Sequence, residues 1–469
     1  MKKTGFICLI MCIVLLISFV PLEVSASTSD ASVTAGCHSV NAAKALSSEG
    51  KLLDTAKAAI LYEQNSDTMV YSYNADTTIY PSSMVKLMTA LVALEKGNLS
   101  DTVIVTRSAL DSVAVGSVSS GLKRGEEISL ENLLYCMMIA SANDAAAVIA
   151  EHIGGGSIEN FIQMMNDKAQ QIGCLNTHYT NPHGLHDEGS ITTARDICRL
   201  LEVALENEDF LKMYTAETYT VPATNKNGER VLKTTNNMMI KGSKFYDARV
   251  TGGKTGATNQ AGRCLVVTAE ANGMNMIGIV MGAVPTYEEE GIVLKYHGNF
   301  EEMKVLLDYG CGSFEFRQVF YNNQALTQYP VLGGANHVVA SPVTELSTVL
   351  PVGVDETKLT WVYNKVDQTI TAPVEQGQMI ATAQLWFGET CLVQTELIAM
   401  NAVDVYVAPT IPELQEGSGF DFAMLFVVLG ILLGIAVVFV LVILILRGIS
   451  MARIRARQRR RRQNRRRNR

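Results

Sequence analysis

Patterns for metal binding, disulfide frameworks and internal repeats are scarce in this sequence. Its 469 residues contain nine cysteines, of which Cys8 and Cys12 lie in the apolar N-terminal segment. The other seven form no CxxC pair, and their odd number leaves at least one thiol unpaired. No long internal repeat is visible either. We therefore expect neither a zinc-type site nor a disulfide scaffold to organise the chain, and no repeat architecture.

Basic residues are sparse outside the two ends of the chain. The formal charge is −7, from 39 basic and 46 acidic residues. Twelve arginines lie between Arg447 and Arg469, so residues 27–446 keep 25 basic against 45 acidic side chains, a net charge of about −20. A segment this acidic argues against nucleic acid as a partner.

The first 26 residues have the pattern of a secretory signal peptide. Lys2 and Lys3 precede an apolar run of 15 residues at 6–20, which is short for a membrane span. Small residues stand at the cleavage positions, and we expect cleavage after Ala26. The remaining chain is long enough for two folded domains.

A second apolar segment predicts a membrane anchor near the C-terminus. Residues 423–446 carry no charge, and about 36 Å of helix crosses the hydrocarbon core with some tilt. The arginine-rich tail at 447–469 follows directly, and positive charge beside a span stays in the cytoplasm. A nucleic-acid patch is the alternative for this tail, but its position favours stop-transfer. We predict a linker at 408–422 and a single pass through the plasma membrane, with the folded part outside.

Three short strings in a fixed order carry the chemistry. They are Ser-Met-Val-Lys at 83–86, Ser-Ala-Asn at 141–143 and Lys-Thr-Gly at 254–256. On a helix Ser83 and Lys86 share one face, so the amine can act as base for the hydroxyl. A lysine does so only where burial or a second cation, here Lys254, destabilises its ammonium. Together the strings supply acyl transfer through a serine ester without histidine.

Taken singly, each string has a commoner structural explanation. Ser83 can cap a helix, Ser141 and Asn143 can satisfy a helix interruption, and Lys254 can lie in a solvated glycine turn. In the functional alternative, the Ser141 hydroxyl passes a proton to a leaving amine and the Asn143 amide orients a peptide bond. Lys254 and a neighbouring hydroxyl suit carboxylate capture on a strand edge. Only the three strings together, in this order, favour acyl transfer through a serine ester.

The pattern of elements predicts a sheet built from both ends of the first domain and covered by helices. Strands are expected at 58–62, 68–73, 264–269 and 276–284, and a buried helix from Ser83 to about Glu95. A helix over 130–152 is expected to be interrupted near 141–144. Further helices are predicted at 158–172, 193–206 and 299–309. Strands at 360–371, 378–386 and 391–400 predict a small all-β module from about Phe316.

The neighbourhoods of the three strings resemble the serine D-alanyl-D-alanine carboxypeptidases of the S11 type, the low-molecular-mass penicillin-binding proteins. Residues 80–89 resemble the family's nucleophile segment, 181–185 and 193–196 its middle segments, and 253–262 its third motif. The resemblance covers roughly residues 50–405. Two features depart from the family: Gly253 stands where relatives have isoleucine or a similar residue, and a true span replaces an amphipathic membrane helix.

The resemblance implies a β-lactamase/transpeptidase-like α/β fold with an all-β C-terminal module and one transmembrane helix. It places a penicillin-binding peptidase domain at 27–315 and the module at 316–407. The implied substrate is a peptidoglycan stem peptide ending in D-Ala-D-Ala, with β-lactams as covalent inhibitors and no metal or cofactor. The implied catalytic residues are Ser83, Lys86 and Ser141, and the implied substrate-binding residues are Asn143, Lys254, Thr255, Gly256 and Ala257.

Three other interpretations of the sequence remain open at this point. A β-lactamase needs rapid deacylation, but the middle string is Ser-Ala-Asn rather than Ser-Asp-Asn and no convincing glutamate loop follows it. A membrane β-lactam sensor needs a cytoplasmic effector, for which the 23 residues after Leu446 are too few and too basic. His183 and His186, with Asp187, could suggest a metal site, but two histidines three residues apart lack a clear third ligand, and a loop near the cleft is the favoured interpretation.

Overall fold

The computed structural model describes residues 51–287, 294–321, 324–408 and 422–467. The predicted signal peptide, residues 27–50, most of the predicted linker and the last two tail residues lie outside these ranges. The chain forms two compact units, which divide between Val405 and Tyr406, and each is described by itself.

The first part of the larger unit contains eight helices and eleven strands among its described residues. The helices are α1 (Val85–Lys96), α2 (Arg107–Asp111), α3 (Leu130–Ile139), α4 (Asn143–Ile153), α5 (Ile158–Gln171), α6 (Ala194–Leu205), α7 (Glu208–Thr215) and α8 (Asn299–Ser313). The strands are β1 (Ala58–Glu63), β2 (Thr68–Tyr73), β3 (Thr102–Ile104), β4 (Glu127–Ser129), β5 (Thr218–Val221), β6 (Arg230–Lys233), β7 (Val250–Thr258), β8 (Gly262–Ala271), β9 (Met274–Ala283), β10 (Thr286–Tyr287) and β11 (Leu294–Tyr296).

A five-stranded antiparallel sheet in the order β2-β1-β9-β8-β7 forms the centre. Strand β1 pairs with β9, which confirms the prediction that early and late strands share one sheet. The register aligns Ile60, Ile279, Val266 and Lys254 across four strands. Directly opposed residues share a face of a sheet. The row therefore places Lys254 on the face that packs against the helices, while the opposite face packs against α8.

Helix α1 lies in the middle of the group of helices that packs against one face of the sheet. Its residues from Val85 to Ala93 are all buried, as the apolar side chains that cover most of its circumference predict. The α-helix begins at Val85 rather than at Ser83, because the preceding turn, Ser82–Met84, is a 3-10 helix. Ser82 has φ of 51°, which an α-helix cannot continue.

The predicted interruption between α3 and α4 is confirmed. Helix α3 ends at Ile139, Ser141 adopts φ of 59°, and α4 starts at Asn143. A left-handed residue at this point reverses the backbone and breaks one apolar segment into two helices. Ser141 and Asn143 consequently stand at the junction, where Asn143 contacts Lys86 on α1 and Ser141 contacts Lys254 on β7.

The second part of the larger unit is all-β apart from one 3-10 turn. Its strands are β12 (Phe314–Phe320), β13 (Thr327–Tyr329), β14 (Val338–Pro342), β15 (Leu346–Pro351), β16 (Leu359–Lys365), β17 (Met379–Phe387) and β18 (Thr390–Ala399). They form a five-stranded sheet, β13-β14-β18-β17-β16, and the pair β12-β15. The predicted strand at 360–371 ends at Lys365, because the polar residues after it form bends and no ladder.

The smaller unit contains one long helix, α9 (Phe422–Arg467). Its part Ala423–Arg457 is long and apolar enough to cross a membrane by length and composition.

In the larger unit, Cys391 takes part in a disulfide bond. Five other described cysteines are free thiols: Cys136, Cys174, Cys198, Cys264 and Cys311.

Candidate active site

Ser83 and Lys86 meet at the start of α1. The 3-10 turn and the first turn of α1 place the Lys86 Nζ 3.2 Å from the Ser83 Oγ. Lys86 is completely buried, whereas Ser83 is partly exposed at the cleft. The hydroxyl therefore faces solvent and substrate, while its amine neighbour is held in the protein interior.

Two carbonyl oxygens fix the Lys86 amine. Lys86 donates hydrogen bonds to the Asn143 Oδ1, at 2.7 Å, and to the backbone oxygen of His183. Burial, and secondly the charge of Lys254, lower the pKa of Lys86 well below its usual value, while Asp144 opposes the shift. Both conditions that a basic lysine requires, burial and a second cation, are thus present at this position.

The His183 carbonyl comes from a loop that the sequence analysis did not connect with Lys86. The Asn181 Oδ1 accepts hydrogen bonds from the backbone nitrogens of His183 and Gly184 and shapes this loop. Gly184 has φ of 80°, and a Cβ on it would come within 2.0 Å of the Ser82 oxygen. The loop therefore lies directly against the turn that carries Ser83, which requires glycine at this point.

Ser141 and Lys254 form a second hydroxyl–amine pair. The Lys254 Nζ donates to the Ser141 Oγ at 2.8 Å and to the Thr255 oxygen at 3.1 Å. Lys254 is also buried, and desolvation lowers the pKa of Lys254 to about 7. Near neutral pH this amine can therefore either hold or release a proton.

The edge strand β7 passes close to the Ser83 backbone. A Cβ on Gly256 would come 3.0 Å from the Ser83 nitrogen, so glycine allows this close approach without displacing the turn. The Thr255 Oγ1 lies 2.5 Å from the Thr235 Oγ1, on the opposite face from Lys254. Within the described ranges no strand pairs with the outer side of β7, so its backbone groups are open to a ligand.

The glycine at position 253, where the sequence departs from the family pattern, has a local explanation. A Cβ at this position would lie 2.3 Å from the Asn236 Nδ2 and 2.8 Å from the Val266 oxygen. Asn236 is buried against the strand and occupies the space that an isoleucine side chain would fill. The departure therefore affects the packing behind β7, while Lys254 keeps its hydrogen bond to Ser141.

Asp144 is a positioning residue that the sequence analysis missed. Its carboxylate accepts hydrogen bonds from the backbone nitrogens of Ser120 and Leu122 and from the Ser119 hydroxyl. The backbone nitrogen of Asn143 donates to the Val118 oxygen at 2.8 Å. These bonds attach the segment 118–122 to the start of α4 and so form one wall of the cleft. An aspartate that follows a motif asparagine has no sequence signal for this role.

The histidines that could suggest a metal site have other surroundings. His183 is buried, and burial together with the charge of Lys86 lowers the pKa of His183 to about 4. The His186 ring packs edge-on against Tyr80. Among the residues that the structure describes, no three His, Cys, Asp or Glu side chains cluster as metal ligands.

Comparison with known proteins places the chain in a family. Residues 45–285 match the model of the D-alanyl-D-alanine carboxypeptidase family, peptidase S11, and residues 314–405 match the C-terminal domain of penicillin-binding protein 5. The first match covers more than half of the chain. The protein therefore belongs to the peptidase S11 family, and the mixed α/β fold with its all-β second domain is that of the family.

Relatives match over most of the length of both chains. The D-alanyl-D-alanine carboxypeptidase DacF of Bacillus subtilis is 31% identical over 71% of this chain and 82% of its own. The D-alanyl-D-alanine carboxypeptidase DacA of Haemophilus influenzae is 31% identical over 74% of this chain and 85% of its own. The crystal structure of penicillin-binding protein 5 from Haemophilus influenzae matches with 29% identity and a TM-score of 0.59, over 75% of this chain and 98% of the other.

Proposed function

We propose that this member of the D-alanyl-D-alanine carboxypeptidase family removes the terminal D-alanine from peptidoglycan stem peptides through an acyl-enzyme on Ser83. One observation carries the proposal. The buried Lys86 amine contacts the Ser83 hydroxyl while two carbonyl oxygens, of Asn143 and His183, take its other hydrogen bonds. A neutral amine has two N–H groups and one lone pair. When the two carbonyls accept both N–H groups, the lone pair is left for the Ser83 proton.

Acylation begins with that proton. Lys86 accepts it as the Ser83 Oγ attacks the carbonyl carbon of the penultimate D-alanine. Negative charge then develops on the carbonyl oxygen, and the backbone nitrogens of Ser83 and Ala257 donate to it. The close approach of Gly256 to the Ser83 nitrogen supports this pairing. One such donor typically contributes about 3 kcal/mol to the transition state.

Collapse of this intermediate releases the terminal D-alanine. The nitrogen of the departing amine needs a proton, which Ser141 supplies. Ser141 is in turn hydrogen-bonded to Lys254, whose lowered pKa of about 7 suits proton exchange at neutral pH. Asn143 binds the acyl part of the substrate, and Lys254 and Thr255 bind the terminal carboxylate of the leaving residue. Water then hydrolyses the ester, and no metal or cofactor takes part in these steps.

A β-lactam has a strained amide and a carboxylate in the same relative positions, so it acylates the same serine. Its leaving group stays attached to the acyl part and obstructs water, which makes the enzyme a penicillin-binding protein with a slowly hydrolysed adduct. Rapid turnover of penicillin without such an adduct is the result that a β-lactamase would give.

We infer that this chemistry takes place on the outer side of the plasma membrane. The apolar helix ends in an arginine-rich tail without acidic residues, and such a tail stays in the cytoplasm. Because the signal peptide and the anchor lie at opposite ends of the chain, we propose a single pass with the peptidase domain and the all-β module extracytoplasmic.

The direct test is release of D-alanine from a peptide that ends in D-Ala-D-Ala. The full-length protein in detergent should release D-alanine, and the Ser83→Ala variant should not. Release by neither protein contradicts the proposed function, whereas release by both means that the nucleophile is a different residue.

A further inference from the structure

Cys391 differs from the other cysteines of the described ranges, because its sulfur is bonded in a disulfide. It lies near the start of β18, opposite Trp386 on β17, and its side chain is partly exposed. The five other described cysteines are free thiols, so none of them is its partner. The second sulfur of this bond therefore belongs to a cysteine outside the described ranges.

The sequence leaves three cysteines for that role: Cys8, Cys12 and Cys37. The first two belong to the predicted signal peptide and leave the chain on cleavage after Ala26. The mature chain then has seven cysteines, of which five are free thiols. Cys37 and Cys391 are the two that remain.

Cys391 lies beside the contact between the all-β module and the peptidase domain. The Thr68 hydroxyl on β2 is 3.5 Å from the Thr348 hydroxyl on β15. Thr348 also donates to the backbone oxygen of Leu392, the residue that follows Cys391, at 3.3 Å. Both threonines are buried, so this contact excludes water. A cross-link at Cys391 therefore acts close to the place where the two domains meet.

The start of the described chain is near the same contact. The Leu52 backbone nitrogen donates to the Tyr71 hydroxyl on β2 at 3.0 Å. Tyr71 is three residues from Thr68 on this strand, a rise of about 10 Å. With the side chains and contacts on the way, the path from Leu52 to Cys391 is about 35 Å or less. Fifteen residues separate Cys37 from Leu52, and an extended chain of that length reaches about 50 Å.

We propose that Cys37 and Cys391 form a disulfide bond that ties the segment before the peptidase domain to the all-β module. The loop that this bond closes contains the whole peptidase domain and most of the module. A cross-link over so long a loop restricts the unfolded chain strongly and so stabilises the folded one. The proposal concerns the union of the two domains and does not depend on the activity of Ser83.

The chemistry of the bond agrees with a folded part outside the cytoplasm, where disulfides form and persist. One thiolate attacks the disulfide of an extracytoplasmic thiol oxidoreductase, the second cysteine displaces the mixed disulfide, and the oxidoreductase leaves as a dithiol. Burial raises the pKa of the Cys136 and Cys264 thiols to about 11, which keeps these two cysteines from such exchange.

Peptide mapping without reductant tests the pairing on the full-length protein, exported by its host and extracted from the membrane in detergent. A protease that cleaves after glutamate releases residues 27–49, with Cys37, and residues 390–396, with Cys391. We expect one linked species whose mass is the sum of the two peptides less two hydrogens. Reduction should separate it into the two peptides.

Counts of alkylated thiols in denaturant without reductant give an independent result. We expect five in the parent protein, and six in either Cys37→Ser or Cys391→Ser, since each substitution frees the other cysteine. Cys311→Ser removes a free thiol that is also partly exposed and is the matched control. It should give four, with the linked peptide unchanged.

Thermal unfolding tests the stabilising role. Reductant should lower the Tm of the parent and of Cys311→Ser by about 5 °C. The Tm of Cys37→Ser should already be lower by the same amount and should not respond to reductant. An unchanged parental Tm on reduction of the bond would overturn the claim that it stabilises the union of the domains.

The mapping also contains the results that overturn the pairing. They are an unlinked 390–396 peptide, a link to a peptide that contains Cys8 or Cys12, and a link between two 390–396 peptides, which would join two copies of the chain. Each of these results leaves the proposed carboxypeptidase function untouched, because release of D-alanine is measured separately.

Discussion

The contact between Gly184 and the nucleophile turn gives the sharpest prediction. Gly184→Ala places a Cβ 2.0 Å from the Ser82 oxygen and 2.4 Å from the Ser82 carbonyl carbon, where ordinary contact begins beyond 3 Å. Backbone on both sides of the overlap must move by about 1 Å. The φ of 80° adds left-handed strain of about 1–2 kcal/mol, and overpacking adds about 1–3 kcal/mol. We expect a loss of unfolding free energy of about 2–5 kcal/mol.

The same displacement should also slow catalysis, because it affects two parts of the active site. It shifts the turn that carries Ser83 and the loop that presents the His183 carbonyl to Lys86. A misplacement of about 1 Å in a catalytic group typically costs about 10²-fold in rate. The assay is the second-order rate constant for acylation by benzylpenicillin, measured at a temperature where thermal unfolding shows that the variant is folded.

Gly155→Ala is the matched control for this experiment. Gly155 has φ of 69°, but no atom lies within 4 Å of the Cβ position. This variant carries the left-handed strain alone, so it should lose about 1–2 kcal/mol of stability and acylate at the parental rate. A folded Gly184→Ala protein that acylates as fast as Gly155→Ala would refute the coupling between loop and nucleophile.

Two further predictions concern charge. Lys254→Met removes the cation that is the second cause of the lowered pKa of Lys86. The pKa of Lys86 should therefore rise, and the acidic limb of the pH profile of acylation should move to higher pH. An unmoved limb would show that burial alone sets the pKa of Lys86. Arg230→Gln leaves the fully buried Glu126 carboxylate without its ion-pair partner, which is 2.7 Å away, and should cost about 3–5 kcal/mol by thermal unfolding. The double variant Arg230→Gln/Glu126→Gln should recover part of that loss, and no recovery would mean that the guanidinium stabilises the fold through packing.

The elements that carry the motifs could be predicted from local sequence patterns. Patterns of period 3.6 predicted α5 and α6 to within one or two residues, and the break between α3 and α4 was predicted at Ser141. In these segments the local pattern agrees with the burial that the fold imposes. The three motif strings together predicted that Ser83, Ser141 and Lys254 share one cleft. In the structure Lys86 contacts Ser83 and Asn143, and Lys254 contacts Ser141.

What the sequence could not predict depends on packing between distant segments. The His183 contribution is a backbone carbonyl, which any residue could supply, and only the approach of Gly184 to Ser82 brings it to Lys86. Strands β12–β15 were not predicted because β13 has only three residues, β14 and β15 end in proline, and β12 alternates poorly and pairs with β15 rather than with its neighbour in sequence.

The central claim is that Ser83 forms the acyl-enzyme, and mass spectrometry after incubation with benzylpenicillin tests it most directly. The neighbouring Ser82 provides the control, because its Oγ is buried and has no hydrogen-bond partner among the described residues. The account predicts a gain of one penicilloyl group in the parent protein and in Ser82→Ala, mapped by peptide analysis to Ser83, and no gain in Ser83→Ala. A penicilloyl group that persists in folded Ser83→Ala, or that maps to another residue of the parent, would contradict it.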